Sequence, residues 1–461
     1  MSTGFPSKSR LAHRNQRWNH SIALDVTKVE KLVLDSIKST GPLSFATYMQ
    51  LCLGHPTHGY YTNPEHFVFG TRGDFITSPE ISQVFGELVA IWFVSQWAAA
   101  GQPPAVRLVE LGPGRGTLMA DILRTMSRLG LAKALTGVHL VETSDALRKV
   151  QEDKLNDLPS FGLPKLHFHN FLSDIPRSPS EYTILVAHEF FDALPIHVLQ
   201  KTEKGWHEVL IATTEEPNTT AEGTEAEPKT EAVKVGTPRL RRVLTREPSI
   251  TSRLLGRSST RFDSLPVGTT IEVSPNSFRI AHDAGMLLST EPPLAEAEAE
   301  AEAAPSPDSE LGAGGCGLII DYGGAHVHGT SFRVSSSQIS CSLQAFKEHN
   351  QVDPFFRPGE CDLTANVDFA YLKEAMSNTL DIHGPISQGK FLERMGLQLR
   401  VKGLVDAAKS EDRKKVIEDA AKRLVDRTGM GKEYQFMGIT SRPREGSREG
   451  QVYPFVQVND S

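Results

Sequence analysis

Apolar positions alternate between two periods along the middle of the chain, and the alternation predicts strands followed by helices. Val106 to Leu111 is a short apolar strand that runs into a glycine-rich stretch. Leu118, Ile122, Leu123, Met126 and Leu129 then recur at helical spacing until Gly130 supplies a stop. The unit repeats. Val138 to Val141 is apolar and β-branched, Ser144 can cap a helix, and Leu147, Val150 and Leu155 share roughly one helical face. Thr183 to Ala187 and Leu318 to Ile320 are further buried-strand candidates. This pattern predicts an open, largely parallel α/β sheet, whose ligands bind at the carboxyl ends of the strands.

The longest apolar stretch, Leu88 to Ala100, is broken by Ser95 and Gln96. It is shorter than the roughly 20 residues needed to span a bilayer, so it reads as a buried helix and no integral membrane segment is expected. Near the carboxyl end, Lys409 to Arg427 holds seven bases and five acids, with Val416, Ala420 and Leu424 as an apolar stripe. That spacing predicts an amphipathic surface helix and not a nucleic-acid patch.

Two segments break the pattern. Thr213 to Pro238 is rich in Thr, Glu and Pro, and Pro292 to Gly315 alternates Ala with Glu before a Gly-Cys-Gly end, so both read as insertions unable to bury much. The second changes the meaning of the net charge. The 461 residues sum to −7, yet Glu291 to Glu310 alone supplies seven acids and no base, which leaves the rest neutral. There is no global basic field to attract nucleic acid. The four cysteines show no CxxC pair, which argues against a zinc ribbon or a disulfide framework and fits a reducing compartment. Residues 1 to 24 carry Lys8, Arg10, Arg14 and Arg17 and no acid, as a mitochondrial presequence would.

The chemistry gathers at strand ends. Glu110-Leu-Gly-Pro-Gly-Arg-Gly116 closes the first strand and opens a helix, so Gly112, Gly114 and Gly116 can turn tightly and let a ligand approach the backbone. In a dinucleotide loop the third glycine of GxGxxG would fall at 117, which is Thr117. An acid two residues before the first glycine suits a positively charged ligand such as S-adenosylmethionine. Glu142, at the end of the second strand, can accept both ribose hydroxyls of an adenosine-type cofactor. His188-Glu-Phe-Phe-Asp-Ala-Leu-Pro195 follows another strand. It is only superficially like the HExxH zinc signature, because Asp192 stands where the second His would be, and no metal is expected.

These residues resemble the MidA-like class I methyltransferases over nearly the whole chain. The matching blocks are Gly73 to Ser82, Glu110 to Leu118, Val141 to Thr143, His188 to Pro195, Glu272 to Pro275, Asp321 to Gly323, Asp362 to Phe369, and Gly384 to Ile386 with Gln388-Gly389. One stretch departs from the pattern: Val334 to Leu343 is Ser-rich, as a lineage-specific loop or a retained intron would be. The resemblance implies a Rossmann-like α/β methyltransferase domain over 101–461, a helical N-terminal cap over 25–100 and the two insertions. It implies S-adenosylmethionine across Gly112, Gly114 and Gly116, with Glu110 near its methionine end and Glu142 on its ribose. Thr77 and Ser78 would approach the cofactor from the cap, although helix capping explains Ser78 equally well. The mitochondrial members are protein arginine methyltransferases that assist assembly of respiratory complex I. By that likeness Glu189 and Asp192 would bind the substrate guanidinium, with His188 receiving a proton. Symmetric dimethylation of a complex I core subunit in the matrix would be the activity. A non-catalytic assembly factor with a residual cofactor pocket is the alternative, and a homodimer is left open.

Overall fold

The computed structural model describes residues 26–62, 77–158, 164–214, 239–291, 312–329, 344–347, 350–442 and 452–456. The candidate presequence, residues 73–76 of the first matching block and the Ser-rich 334–343 stretch lie outside the described residues, as do 215–238 and 292–311 of the two insertions.

The strand-and-helix alternation builds a central sheet of seven main strands: β1 (Val106–Leu111), β2 (Leu135–Val141), β3 (Lys165–His169), β4 (Tyr182–His188), β5 (Gly315–Gly324), β6 (Leu380–Ser387) and β7 (Tyr434–Ser441). Their order is β6-β7-β5-β4-β1-β2-β3, and β1 to β5 pair in parallel. Apart from β7, which is antiparallel to both neighbours and stands between β5 and β6, this is the doubly wound order 3-2-1-4-5-6. Every residue of β1 and β4 is buried, as expected of central strands covered on both faces. One face packs against Gln83–Ala99, Thr117–Arg128 and Gln388–Arg394, and the other against Pro275–Leu288 and Phe369–Met376.

The apolar stretch from Leu88 is the body of the Gln83–Ala99 helix, with Leu88, Val89, Trp92 and Phe93 buried in the sheet core. The more N-terminal helices, Lys28–Thr40 and Phe45–Gly54, pack elsewhere. Their buried Val29, Val33, Phe45 and Tyr48 meet Val198, Val209 and Ile211 of a second, antiparallel sheet. That sheet is made of Leu43–Ser44, His197–Thr202, Gly205–Thr213, Leu240–Leu244 and Thr270–Val273, so most of it comes from the connection between β4 and β5. Residues 215–238 link two of its paired strands.

Two readings need correction. The second expected insertion ends earlier than Gly315, because that residue opens β5 and is buried. The carboxyl-terminal amphipathic helix is Glu411–Leu424, but its inner stripe runs through Ala421 and Leu424, and Val416 is 56% exposed. Ile417, one residue on and about 100° round the helix, takes the place of Val416 on the inner face. Among the described residues, no helix is long and apolar enough to cross a membrane, and no group of three His, Cys, Asp or Glu could hold a metal ion.

Candidate active site

A cleft of about 1490 Å³ opens over the carboxyl ends of β1, β2, β4 and β5. Glu110, Gly112, Gly114, Glu142, Thr77, His188, Glu189 and Asp192 all line it. Residues separated by more than 100 positions therefore meet in one space.

On one side, β1 delivers Glu110 into the loop Gly112 to Gly116. All three glycines have positive φ, at 62°, 53° and 75°, so the loop depends on residues without a Cβ. Gly116 caps the Thr117–Arg128 helix and abuts Gln151, and it does not line the cleft. At that position it packs the loop against the helix Asp145–Asn156. Buried Gln151 ties the two expected cofactor elements together, since its amide nitrogen donates to Gly114 O at 2.7 Å and to Glu142 Oε2 at 3.3 Å. The other Glu142 oxygen accepts the Ser144 N–H at 2.8 Å, and Ser144 caps the following helix as its position predicts.

Glu110 is 2% exposed, and its Oε2 has no hydrogen-bond partner among the described residues. Burial pushes its pKa up to about 8. A buried carboxyl oxygen without a partner, aimed at a cleft, is suited to a cationic ligand. Phe171, just beyond β3, adds a 61% exposed ring to the same wall. Ser78 is different. It is fully buried, its hydroxyl donates to Gln388 Oε1 at 3.1 Å, and it does not line the cleft, so the expected cofactor contact becomes a packing contact. Thr77 lines the cleft as the N-cap of Ser78–Ile81 and makes no side-chain capping bond.

On the other side, His188 is the last residue of β4 and Glu189 follows with φ of +50°, an uncommon conformation for a residue with a Cβ. Asp321 on β5 explains how the turn holds. Its Oδ2 accepts the N–H groups of Phe190, Phe191 and Asp192 at 3.2, 2.9 and 3.3 Å, and its Oδ1 accepts the Tyr322 N–H at 2.9 Å. Glu189 N–H also donates to Ile320 O at 3.0 Å. Glu189 Oε1 accepts the Tyr434 hydroxyl at 2.7 Å, and Tyr434 bonds in turn to the Tyr322 hydroxyl. Asp362, from a neighbouring strand, accepts the Tyr61 hydroxyl at 2.8 Å and completes an acidic wall with Asp192.

Burial raises the pKa of Glu189 to about 8, and that of Asp321 to about 7 against the pull of its backbone hydrogen bonds. Burial and then the neighbouring Asp321, Glu189 and Asp362 raise that of Asp192. An incoming cation would reverse these shifts by favouring the ionised forms. His188 responds oppositely: burial lowers its pKa to about 3, so it is neutral, and its Nε2 has no hydrogen-bond partner among the described residues. A group of so low a pKa is a weak proton acceptor, which shifts that role toward the carboxylates.

The pattern of glycine loop, buried acid and strand-end carboxylates on a Rossmann-like sheet defines a methyltransferase that uses S-adenosylmethionine. Residues 88–386 match the family described as "Putative S-adenosyl-L-methionine-dependent methyltransferase", and the chain belongs to that family. It is 34% identical to the protein arginine methyltransferase NDUFAF7, mitochondrial, of Mus musculus over 445 residues, which cover 92% of this chain and 87% of the relative. The Homo sapiens protein of the same name is 33% identical over 457 residues, covering 94% and 89%. The mitochondrial names agree with the location expected from residues 1 to 24. A solved structure from Burkholderia thailandensis, bound to S-adenosyl-homocysteine, shares the fold with a TM-score of 0.64 at 21% identity, over 90% of this chain and 92% of that one.

Proposed function

We propose that this chain is a protein arginine methyltransferase that acts in the mitochondrial matrix on a core subunit of respiratory complex I and promotes assembly of that complex. We infer symmetric dimethylation as the outcome. The names of the relatives support the substrate class. The observation that carries the reading is that Glu189 and Asp192 line the same cleft as Glu110 and the glycine loop, and among the described residues neither carboxyl makes a salt bridge to a Lys or Arg. A site of acids without a paired cation is built to receive one.

S-adenosylmethionine supplies an electrophilic methyl group when bound. Gly112 and Gly114 would give its backbone-facing side room, Glu110 would meet its positive charge, Glu142 would accept its ribose hydroxyls, and Thr77 and Phe171 would flank it. Glu189 and Asp192 would hold the guanidinium and turn one nitrogen toward the methyl group, so that positioning supplies much of the catalysis. Because a guanidinium stays protonated, the reacting nitrogen must shed a proton as its new bond forms. Glu189 is the acceptor in reach of a neutral His188, 3.5 Å away.

The test is Glu189→Gln, which keeps the side chain's shape and removes its charge. Cofactor affinity should survive while methyl transfer falls roughly 30- to 1000-fold, the equivalent of about 2 to 4 kcal/mol lost in the transition state. Unchanged transfer would remove Glu189 from the reaction.

A further inference from the structure

Tyr322 and Tyr434 face each other across the antiparallel pair β5 and β7, with ring centroids 4.0 Å apart. Tyr322 lines the cleft, and Tyr434 lies buried behind it. The Tyr434 oxygen sits between two partners, Glu189 Oε1 at 2.7 Å and the Tyr322 hydroxyl. A phenol carries one proton, so Tyr434 can donate to only one of them. Ionised Glu189 can only accept. Tyr434 must then donate to Glu189, and Tyr322 must donate to Tyr434, which fixes a direction from the cleft through both tyrosines to the carboxylate.

We propose that Tyr434, oriented by Tyr322, is the positioning residue of methyl transfer: it keeps Glu189 in place and favours its ionisation, and so sets the pH at which the site takes a cationic substrate. This rests on the reading of Glu189 as the guanidinium ligand. The groups that face Glu189 are His188 and Asp192 of its own turn, Asp321 and Tyr322 of β5, Asp362 of the strand Asp362–Thr364, Glu80 of the helix Ser78–Ile81, and Tyr434 of β7. Burial and the three acids Asp321, Asp362 and Glu80 oppose ionisation, and the Tyr434 hydrogen bond is the contribution that favours it. In the transfer step the N–CH3 bond forms, the S–CH3 bond breaks, and the proton of that nitrogen passes to Glu189. With Oε1 occupied by Tyr434, Oε2 is the oxygen presented to the substrate.

The experiment is a pH profile of kcat/KM for the full chain with an arginine-containing protein substrate. In Tyr434→Phe the acid limb should move up by about one pH unit, the worth of one hydrogen bond to a charged group, so that activity falls about tenfold at neutral pH and recovers near about pH 9. Tyr322→Phe should shift the limb in the same direction by less, and both should bind S-adenosylmethionine normally. A uniform loss at all pH values, or an unmoved limb, overturns the proposal. Infrared titration reads the same group without turnover: the protonated-carboxyl band abolished by Glu189→Gln should titrate at higher pH in Tyr434→Phe than in the parent, and an unmoved midpoint also overturns it. If the parent binds cofactor but methylates no arginine, the functional reading fails, and the infrared midpoint still decides the role of Tyr434.

Discussion

The Asp321 carboxylate on β5 holds the main-chain N–H of Phe191 at 2.9 Å, and through it the turn on which Glu189 and Asp192 stand. Two neighbouring amides share the same oxygen, and the other oxygen is taken by Tyr322 N–H. Asp321→Asn would therefore place an NH2 group against a backbone donor whichever way the amide turned. We expect a stability loss of about 1 to 3 kcal/mol, read by denaturant unfolding, and a fall in methylation of about tenfold or more as the turn loosens. Calorimetry should show nearly normal cofactor affinity, because Glu110 and the glycine loop belong to β1. Parental stability and rate would show that the turn holds itself.

Gly114→Val should abolish binding of S-adenosylmethionine. Its φ of +53° is closed to a β-branched residue, and the side chain would project from a loop that lines the cleft. Calorimetry with S-adenosylmethionine, S-adenosyl-homocysteine and NADH is the measurement. The parent should bind the first two and not the third, and retained binding by the variant would place the cofactor elsewhere.

Cofactor binding should release a proton at neutral pH. Burial holds the Glu110 pKa at about 8, above its ordinary 4.5, so the free protein carries this group neutral. The stability from the protonated form is therefore complete below about pH 4.5 and is lost as pH rises through about 8. A positively charged ligand favours the ionised form, so affinity should rise with pH up to about 8, by as much as about tenfold per unit. Calorimetry in buffers of different ionisation enthalpy reads the released proton. Glu110→Gln should abolish both the release and the slope, and a parent that releases none would contradict the placement of Glu110 at the cationic end.

Residues 1 to 24 fused to a reporter should carry it into mitochondria. A cytosolic reporter would withdraw support for a matrix substrate and leave the chemistry of the cleft untouched.

How much of this was legible depends on the range of the signal. The strands β1 and β4, the Ser144 cap, Glu110, the three glycines and Glu142 were all readable, because hydrophobic period, helix caps and positive-φ glycines act over a few residues. At Ser78 and Gly116 the sequence marks a special position without saying which way it faces. Only the tertiary partners, Gln388 and Gln151, decide that. Tyr434 gave no local sign at all. It gains its role from an antiparallel register that sets it opposite Tyr322, more than 100 positions earlier. The antiparallel sheet between β4 and β5 was hidden for a similar reason, since its strands pair across residues 215–238 and with the N-terminal Leu43–Ser44.

Methyl transfer to arginine is read from the amino acid that receives the methyl group. The purified protein would be incubated with methyl-labelled S-adenosylmethionine and mitochondrial extract from cells lacking it, and the labelled proteins would be hydrolysed to amino acids. Label should appear in methylated arginine, chiefly symmetric dimethylarginine of one complex I core subunit, and should nearly disappear with Glu189→Gln. Label in lysine or histidine, or none from a protein that binds the cofactor normally, would contradict it.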